Sequence, residues 1–355
     1  MKKILIIYPE YKEFITGGQV YDRNLFETLR KKDNVQIDIL TDDLLPTRSK
    51  YLYNFAYLAK LRQIRQYDYV LTNSRLYTRL ILSAMVLKAL YKTPVVSIHH
   101  HFNFEGEAGI KRAIHKLLET TFLKLSFATI IPSPYVRDRF RKLLPKSKIW
   151  FAELSVKKED KTIEPRARHN DVFNMLYMGT IENRKGLAYL IDALHLLKNE
   201  TKDEFHCYIA GKVADESYYN SITEKCKMYC LEKNITFTGR VAEDEKERLY
   251  ENANCFVFPS LLEGYGMVVL EAMAHGLPVV AFNNSAMPYT VNNTNGILVE
   301  NKNCDKFKDG IKALMEDEDY RLRLSEGAIQ HTRKSRSIDD MNKDIDLIIE
   351  KEILS

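Results

Sequence analysis

The chain has 355 residues, 45% of them hydrophobic and 28% charged, with a formal net charge of +5. A chain of this length exceeds one hydrophobic core and fits two domains of ordinary size, and its composition is that of a soluble globular protein. No run reaches the ~18 apolar residues of a membrane span, and the apolar run Ile4 to Ile7 behind Lys2-Lys3 stops at Tyr8-Pro9-Glu10, too short for a signal-peptide core.

The five cysteines show no paired Cys-x-x-Cys spacing, and Cys226 and Cys230 read as small residues of one helix in a reducing cytosol rather than as metal ligands. Charge is uneven. Residues 1–165 hold 29 Lys+Arg against 17 Asp+Glu, whereas the remainder hold 24 against 31. A basic half of this kind points to an anionic surface such as lipid or another polyanion.

In chain order, Ile4 to Tyr8 is a first buried strand. A turn with Thr16-Gly17-Gly18-Gln19 follows, then a helix with Val20, Leu25, Phe26 and Leu29 at helical spacing. Gly17 and Gly18 would let a ligand approach the backbone, but neither a dinucleotide fingerprint nor a P-loop is present. Further strands are expected at 35–40, 69–72, 94–98 and 129–131, with helices at 76–91 and 110–125 between them. Strand alternating with helix argues for a parallel sheet covered on both faces.

The fourth strand runs into His99-His100-His101-Phe102-Asn103, and a histidine at a strand's carboxyl end sits where ligands bind in open sheets. His99 is read as a hydrogen-bonding group in a cleft. Asp42-Asp43 lacks a phosphate cradle and reads as surface. Ten basic residues lie between Lys111 and Lys148, with Leu117, Leu118, Phe122 and Leu125 among the first of them. That pattern predicts a basic amphipathic surface suited to a membrane face.

The polar stretch Lys157 to Asn170 reads as a linker, after which the rhythm restarts. Strands are expected at 173–178, 205–210, 235–238, 255–259 and 278–282, and the chain ends in three helices near 305–315, 320–330 and 338–354. The chemistry-bearing residues lie at strand ends of this half. Arg184-Lys185 sits in the turn 179–186 and offers two cations for a diphosphate, one as a fork and one as a point charge. Glu263-Gly264-Tyr265-Gly266-Met267 follows another strand and runs into a helix carrying Glu271. Bare loop amides at a helix N-terminus suit phosphate, and two carboxylates can accept from ribose and sugar hydroxyls.

At these residues the chain resembles the retaining glycosyltransferases of family four. The resemblance rests on Gly179-Thr180-Ile181-Glu182-Asn183-Arg184-Lys185-Gly186, Phe237-Thr238-Gly239-Arg240-Val241, Phe258-Pro259-Ser260, and above all the Glu263–Glu271 pair in Glu-Gly-Tyr-Gly-Met-Val-Val-Leu-Glu-Ala-Met-Ala. The first half resembles the family more weakly, through Gly17-Gly18 and His99. The resemblance implies the GT-B fold, α/β with two Rossmann-like domains facing a central cleft. These would be an acceptor-side domain over 1–165, a nucleotide-sugar domain over 166–335, and a last helix over 336–355 packing back on the first.

It also implies a donor site. Arg184 and Lys185 would bind the diphosphate of a UDP- or GDP-sugar without a metal or other cofactor. Glu271 would hold the ribose, and Glu263 the hydroxyls of the transferred sugar. The amides of Gly264, Tyr265, Gly266 and Met267 would line sugar and phosphate, and Arg240 and Val241 would flank the base. Gly17 and Gly18 would close over the diphosphate, and His99 would contact the sugar. The acceptor would be a glycan or lipid-linked hydroxyl, and the protein cytoplasmic, peripheral on the membrane, with no nucleic-acid partner. The chain departs from the family at Asn283 to Tyr289, where Tyr289 replaces a usual Glu, and at Phe151 to Val156, which lacks a Pro-Asn-Gly turn. A sugar-nucleotide epimerase of related fold and a non-catalytic subunit are competing readings. The pair Arg184-Lys185 with Glu263 and Glu271 favours the transferase.

Overall fold

The computed structural model describes residues 1–9, 17–45, 52–155, 163–165 and 172–354. Most of the linker stretch 157–170, together with Thr16 and Val156, lies outside them. The chain divides into two compact units, Met1–Ser155 with Ile338–Ser355, and Val156–Ser337. The division falls earlier than the composition boundary at 165.

The first unit is a parallel six-stranded sheet built from β1 (Lys2–Tyr8), β2 (Val35–Thr41), β3 (Tyr69–Asn73), β4 (Val95–Ile98), β5 (Ala128–Ile131) and β6 (Ile149–Phe151) in the order β2-β1-β3-β4-β5-β6. The second sheet holds β7 (Phe173–Met178), β8 (Phe205–Ala210), β9 (Ile235–Gly239), β10 (Cys255–Phe258), β11 (Val279–Phe282) and β12 (Gly296–Val299) in the order β12-β11-β10-β7-β8-β9, again all parallel. Helices on both faces bury the inner strands completely: every residue of β4, β5, β10 and β11 is buried. That explains their unbroken apolar sequence.

Two strands escape sequence patterning, and both are edges. β6 is three residues long with only Trp150 buried, and β12 opens on a glycine with its middle residues half-buried. The helix expected over 76–91 is an α-helix, Tyr77–Val86, continuing as a π-helical turn, Leu87–Tyr91. At the chain's end the helix Ile338–Ile348 belongs to the first unit. Lys32 reaches Asp346 at 2.9 Å and Glu350 at 3.1 Å, and the Tyr69 hydroxyl donates to the Glu352 carbonyl at 3.2 Å.

Each sheet reverses strand order once, between β1 and β3 and between β7 and β10. Such reversals open a crevice beyond the strands' carboxyl ends, and the candidate residues fall at these two places.

Candidate active site

In the second unit, β7 leads through Gly179 into a single 3-10 turn, Asn183–Lys185, and β10 leads into the loop that holds Glu263. Gly186 joins the two. Its φ of +71° lies in the left-handed region, and a Cβ there would stand 2.0 Å from the Pro259 carbonyl oxygen, so the turn after β7 packs directly on the end of β10. The Leu261 amide donates to the Arg184 carbonyl at 2.9 Å and fixes the register.

Across this junction Lys185 Nζ donates to Glu263 Oε2 at 2.6 Å, with the side chains only 11% and 16% exposed. The ammonium also lies 5.2 Å from the centre of the Phe258 ring. Arg184 is held differently. Its guanidinium donates to the Leu262 carbonyl and to Glu182 Oε1, both at 2.7 Å, and stands 4.0 Å from Glu263. Beneath the pair, burial and then the charge of Glu263 push the Tyr177 phenol well above its ordinary pKa, so it stays neutral.

The Glu263 loop is braced from β11. Ser285 Oγ accepts from the Glu263 amide at 3.0 Å, the Glu263 carbonyl accepts from the Ala286 amide at 3.3 Å, and Asn284 Nδ2 donates to the Ser260 carbonyl at 3.2 Å. Ser285 holds φ at +44°, an uncommon conformation for a residue with a side chain. These partners come from the segment where the sequence departs from the family, and no sequence signal marked them.

Gly266, at φ +90°, then starts the helix Met267–Ala274, with Gly264, Tyr265 and Met267 half-buried around it. Glu271 lies one turn inside. Its Oε2 accepts from the buried Tyr250 hydroxyl at 3.2 Å and stands 3.6 Å from Lys246 Nζ. Burial first, and Glu271 next, raise the Tyr250 pKa well above its ordinary value.

Arg240 and Val241 follow β9 at the same sheet edge. The Gly211 amide donates to the Gly239 carbonyl at 2.8 Å and the Gly179 amide to Ala210 at 2.9 Å, which ties the ends of β7, β8 and β9 together. Among the described residues no three His, Cys, Asp or Glu side chains converge as a metal site. Cys226 is buried and Cys230 exposed, both as free thiols.

The histidines at the end of β4 take different places in the first unit. His99 is 0% exposed. Its Nδ1 lies 2.8 Å from Ser74 Oγ, its ring packs on Phe102 and Phe140, and burial pulls its pKa well below the ordinary 6.5. Because side chains alternate at a strand's end, the next residue turns the other way. His100 Nε2 stands 2.7 Å from Asp22 Oδ1 at the β1/β3 reversal, and the buried Asp22 carboxylate also accepts from the Tyr8 hydroxyl at 2.9 Å and Asn73 Nδ2 at 2.8 Å. Gly17 and Gly18 are the first residues of the helix Gly17–Arg30 rather than a free turn, and a Cβ on Gly18 would lie 3.2 Å from the His100 ring. Asp42, read as surface, is ion-paired with Arg79 and accepts from the Tyr57 hydroxyl at 2.7 Å.

Residues 158–331 match the family described as glycosyl transferases group 1. An uncharacterized glycosyltransferase of Haemophilus influenzae is 26% identical over 260 residues, 70% of this chain and 67% of that protein. The O-antigen chain mannosyltransferase B of Escherichia coli is 31% identical over 146 residues, covering 41% of this chain and only 38% of its relative. Among solved structures, sucrose-phosphate synthase of Thermosynechococcus elongatus superposes over 100% of both chains with a TM-score of 0.77 at 16% identity. Anabaena HepE in complex with UDP and glucose covers 99% of this chain with a TM-score of 0.74 at 15% identity. The two parallel Rossmann-like sheets therefore have the GT-B fold.

Proposed function

We propose, from the place of residues 158–331 among the glycosyl transferases group 1, that the chain is a retaining glycosyltransferase. It takes a hexose from a UDP- or GDP-sugar to a hydroxyl of a glycan or lipid-linked acceptor, in the synthesis of a surface polysaccharide or glycoconjugate. The observation behind this reading is the Lys185–Glu263 ion pair at the β7/β10 reversal, with Glu271 on the same loop–helix unit. A relative named as an O-antigen mannosyltransferase supports the polysaccharide setting.

Departure of a nucleoside diphosphate leaves negative charge on phosphate and an oxocarbenium-like sugar. A preorganised cation at the first of these is usually the largest catalytic term. Lys185 supplies that cation. With the donor bound, the diphosphate takes over as its counter-charge and Glu263 turns to accept from sugar hydroxyls. Arg184 braces the loop through the Leu262 carbonyl. Glu271 accepts from the ribose hydroxyls, and the amides around Gly266 line the phosphate. Arg240 and Val241 flank the base.

In the first unit the sugar contact falls to the histidines at the end of β4, His99 and His100, the second of which Asp22 orients beside Gly18. The leaving phosphate itself helps take the acceptor's proton on the face it departs from, so neither carboxylate acts as a nucleophile and no metal is required.

A donor panel with nucleoside diphosphate release as readout tests the reading. Release from one sugar nucleotide, lost in Lys185→Ala and in Glu271→Ala while both variants stay folded, is expected. Turnover at the wild-type rate in both variants would overturn the site.

A further inference from the structure

The segment after β11 holds the Glu263 loop through a chain of hydrogen bonds whose directions are forced. Asn284 Nδ2 donates to the Ser260 carbonyl at 3.2 Å and to Asn301 Oδ1 at 2.7 Å, which uses both of its amide protons. Its Oδ1 can only accept, and it accepts from the Ser285 hydroxyl at 2.8 Å. With its proton directed there, Ser285 Oγ has only lone pairs to offer. The Glu263 amide donates to it at 3.0 Å.

The backbone that delivers this hydroxyl is strained. Ser285 holds φ at +44°, where glycine sits without cost and a residue with a Cβ does not. Lys92 and Cys230 also hold positive φ, but they stand where helices end, the ordinary use of that conformation. Ser285 stands between β11 and the short helix Met287–Thr290. A glycine there would relieve the strain but bring no hydroxyl, and the Glu263 amide would lose its acceptor. Strain kept beside a site points to a task for the side chain that imposes it.

The same segment grips the loop again on either side of that bond. The Ala286 amide donates to the Glu263 carbonyl at 3.3 Å, so consecutive residues hold both backbone polar groups of Glu263. A Cβ on Gly266 would stand 2.5 Å from Met287 Cε, so Met287 sits against the start of the helix that carries Glu271. Glu263 thus has a fixed backbone, while its carboxylate has to swing from Lys185 to the hydroxyls of the sugar. A stationary Cα sets how far that carboxylate reaches.

We propose that Ser285 is a positioning residue for sugar transfer: its hydroxyl fixes the Glu263 backbone so that the carboxylate meets the hydroxyls of the donor sugar, and the chain keeps a strained backbone to hold that hydroxyl in place. The inference rests on the reading of Glu263 as the sugar-binding carboxylate.

Ser285→Ala and Ser285→Gly in the full chain test it, because both lack the hydroxyl and only glycine relieves the strain. Ser285→Gly should melt about 2 °C or more above Ser285→Ala. Sugar transfer should nonetheless fall in both, by about tenfold or more in kcat, and by no less in Ser285→Gly. Free nucleoside diphosphate, which meets Lys185 on the other loop, should bind both variants at least as tightly as the wild type. Transfer rates that follow the melting temperatures, a Ser285→Gly variant at the wild-type rate, or weaker diphosphate binding in both variants would each overturn the proposal, since the hydroxyl would then serve only the fold. A wild type that releases nucleoside diphosphate from no sugar nucleotide would overturn the proposed function and this inference together. Turnover by the wild type with any of the three outcomes before it overturns the inference alone.

Discussion

Lys185 Nζ and Glu263 Oε2 stand 2.6 Å apart across the strand-order reversal, one on the turn after β7 and the other on the loop after β10. The cation proposed for a diphosphate is therefore already neutralised by the carboxylate proposed for the sugar. Anion binding at Lys185 must compete with Glu263. Glu263→Gln removes that competition, so free nucleoside diphosphate should bind about three- to tenfold more tightly, a gain on the order of 1 kcal/mol. Sugar transfer should fall, because the amide holds sugar hydroxyls less well. Isothermal titration and turnover measured together check this, and diphosphate affinity equal to or below the wild type's would remove the competition argument.

Lys185→Ala leaves Glu263 beside the buried Tyr177 with only the more distant Arg184, at 4.0 Å, as counter-charge. Removing one partner of a half-buried pair should destabilise the second unit by about 2 kcal/mol. The double change Lys185→Ala, Glu263→Ala should be closer to wild-type stability than Lys185→Ala alone. Denaturant melts of the wild type, Lys185→Ala, Glu263→Ala and the double variant give the coupling, and strict additivity would show that the pair contributes nothing in the unliganded chain.

Glu271 accepts from Tyr250 and is expected to accept from both ribose hydroxyls. Charge-assisted bonds of this kind contribute about 1.5–3 kcal/mol each, so Glu271→Ala should raise the donor KM by tenfold or more. A donor lacking the ribose hydroxyls separates this role from folding. It should be poor for the wild type and no poorer for the variant. If the variant lost as much again on the deoxy donor, Glu271 would be acting elsewhere. Tyr250→Phe keeps the carboxylate and should cost only about 1 kcal/mol of stability.

The strands that position these groups were legible in the sequence because inner parallel strands read as unbroken apolar runs, as in Cys255–Phe258 and Val279–Phe282. β6 and β12 were not, since each offers only three apolar residues in a row, Ile149-Trp150-Phe151 and Ile297-Leu298-Val299. The carboxylates and cations of the donor loops stood out through their place beside glycine turns. Their braces did not, because nothing in Asn284-Ser285 announces a hydroxyl accepting from an amide twenty-odd residues earlier in the chain. The histidine triple shows the limit of spacing alone. Alternation says that His99 and His100 face opposite ways, but only the packing of Phe102 and Phe140 decides which one is sealed inside and which meets Asp22.

Gly186 and Gly239 have almost the same φ, +71° and +70°, in opposite surroundings. A Cβ at Gly239 meets nothing within 4 Å, whereas at Gly186 it meets the Pro259 carbonyl at 2.0 Å. Gly239→Ala should therefore cost only the backbone strain, about 1–2 kcal/mol. Gly186→Ala should cost more and also abolish transfer, because the turn carrying Lys185 must move off the β10 loop. Thermal melts compare the two, and equal losses would mean that the turn yields without penalty.

Glu119 gives the first unit a pH dependence whose sign runs against ordinary acid denaturation. Its carboxylate accepts from the Asn103 amide at 3.1 Å, Asn103 Nδ2 at 2.7 Å and the Phe104 amide at 3.3 Å, and so fixes the loop that follows the histidines. Burial outweighs these donors and pushes its pKa from the ordinary 4.5 up to about 7. Between those two values the folded chain holds a proton that the unfolded chain has released, so the stability from this group is complete below pH 4.5 and is lost as pH rises through 7. The change should be about 3 kcal/mol over that window, at about 1.4 kcal/mol per pH unit where it is steepest. Glu119→Gln has no proton to lose, so its stability, although lower in acid because the amide's own N–H group faces the same donors, should stay flat from pH 5 to 8. Denaturant midpoints across that range decide the matter. A wild-type midpoint that rises with pH, or a Glu119→Gln curve parallel to the wild type's, would show that Glu119 stays ionised in the folded chain.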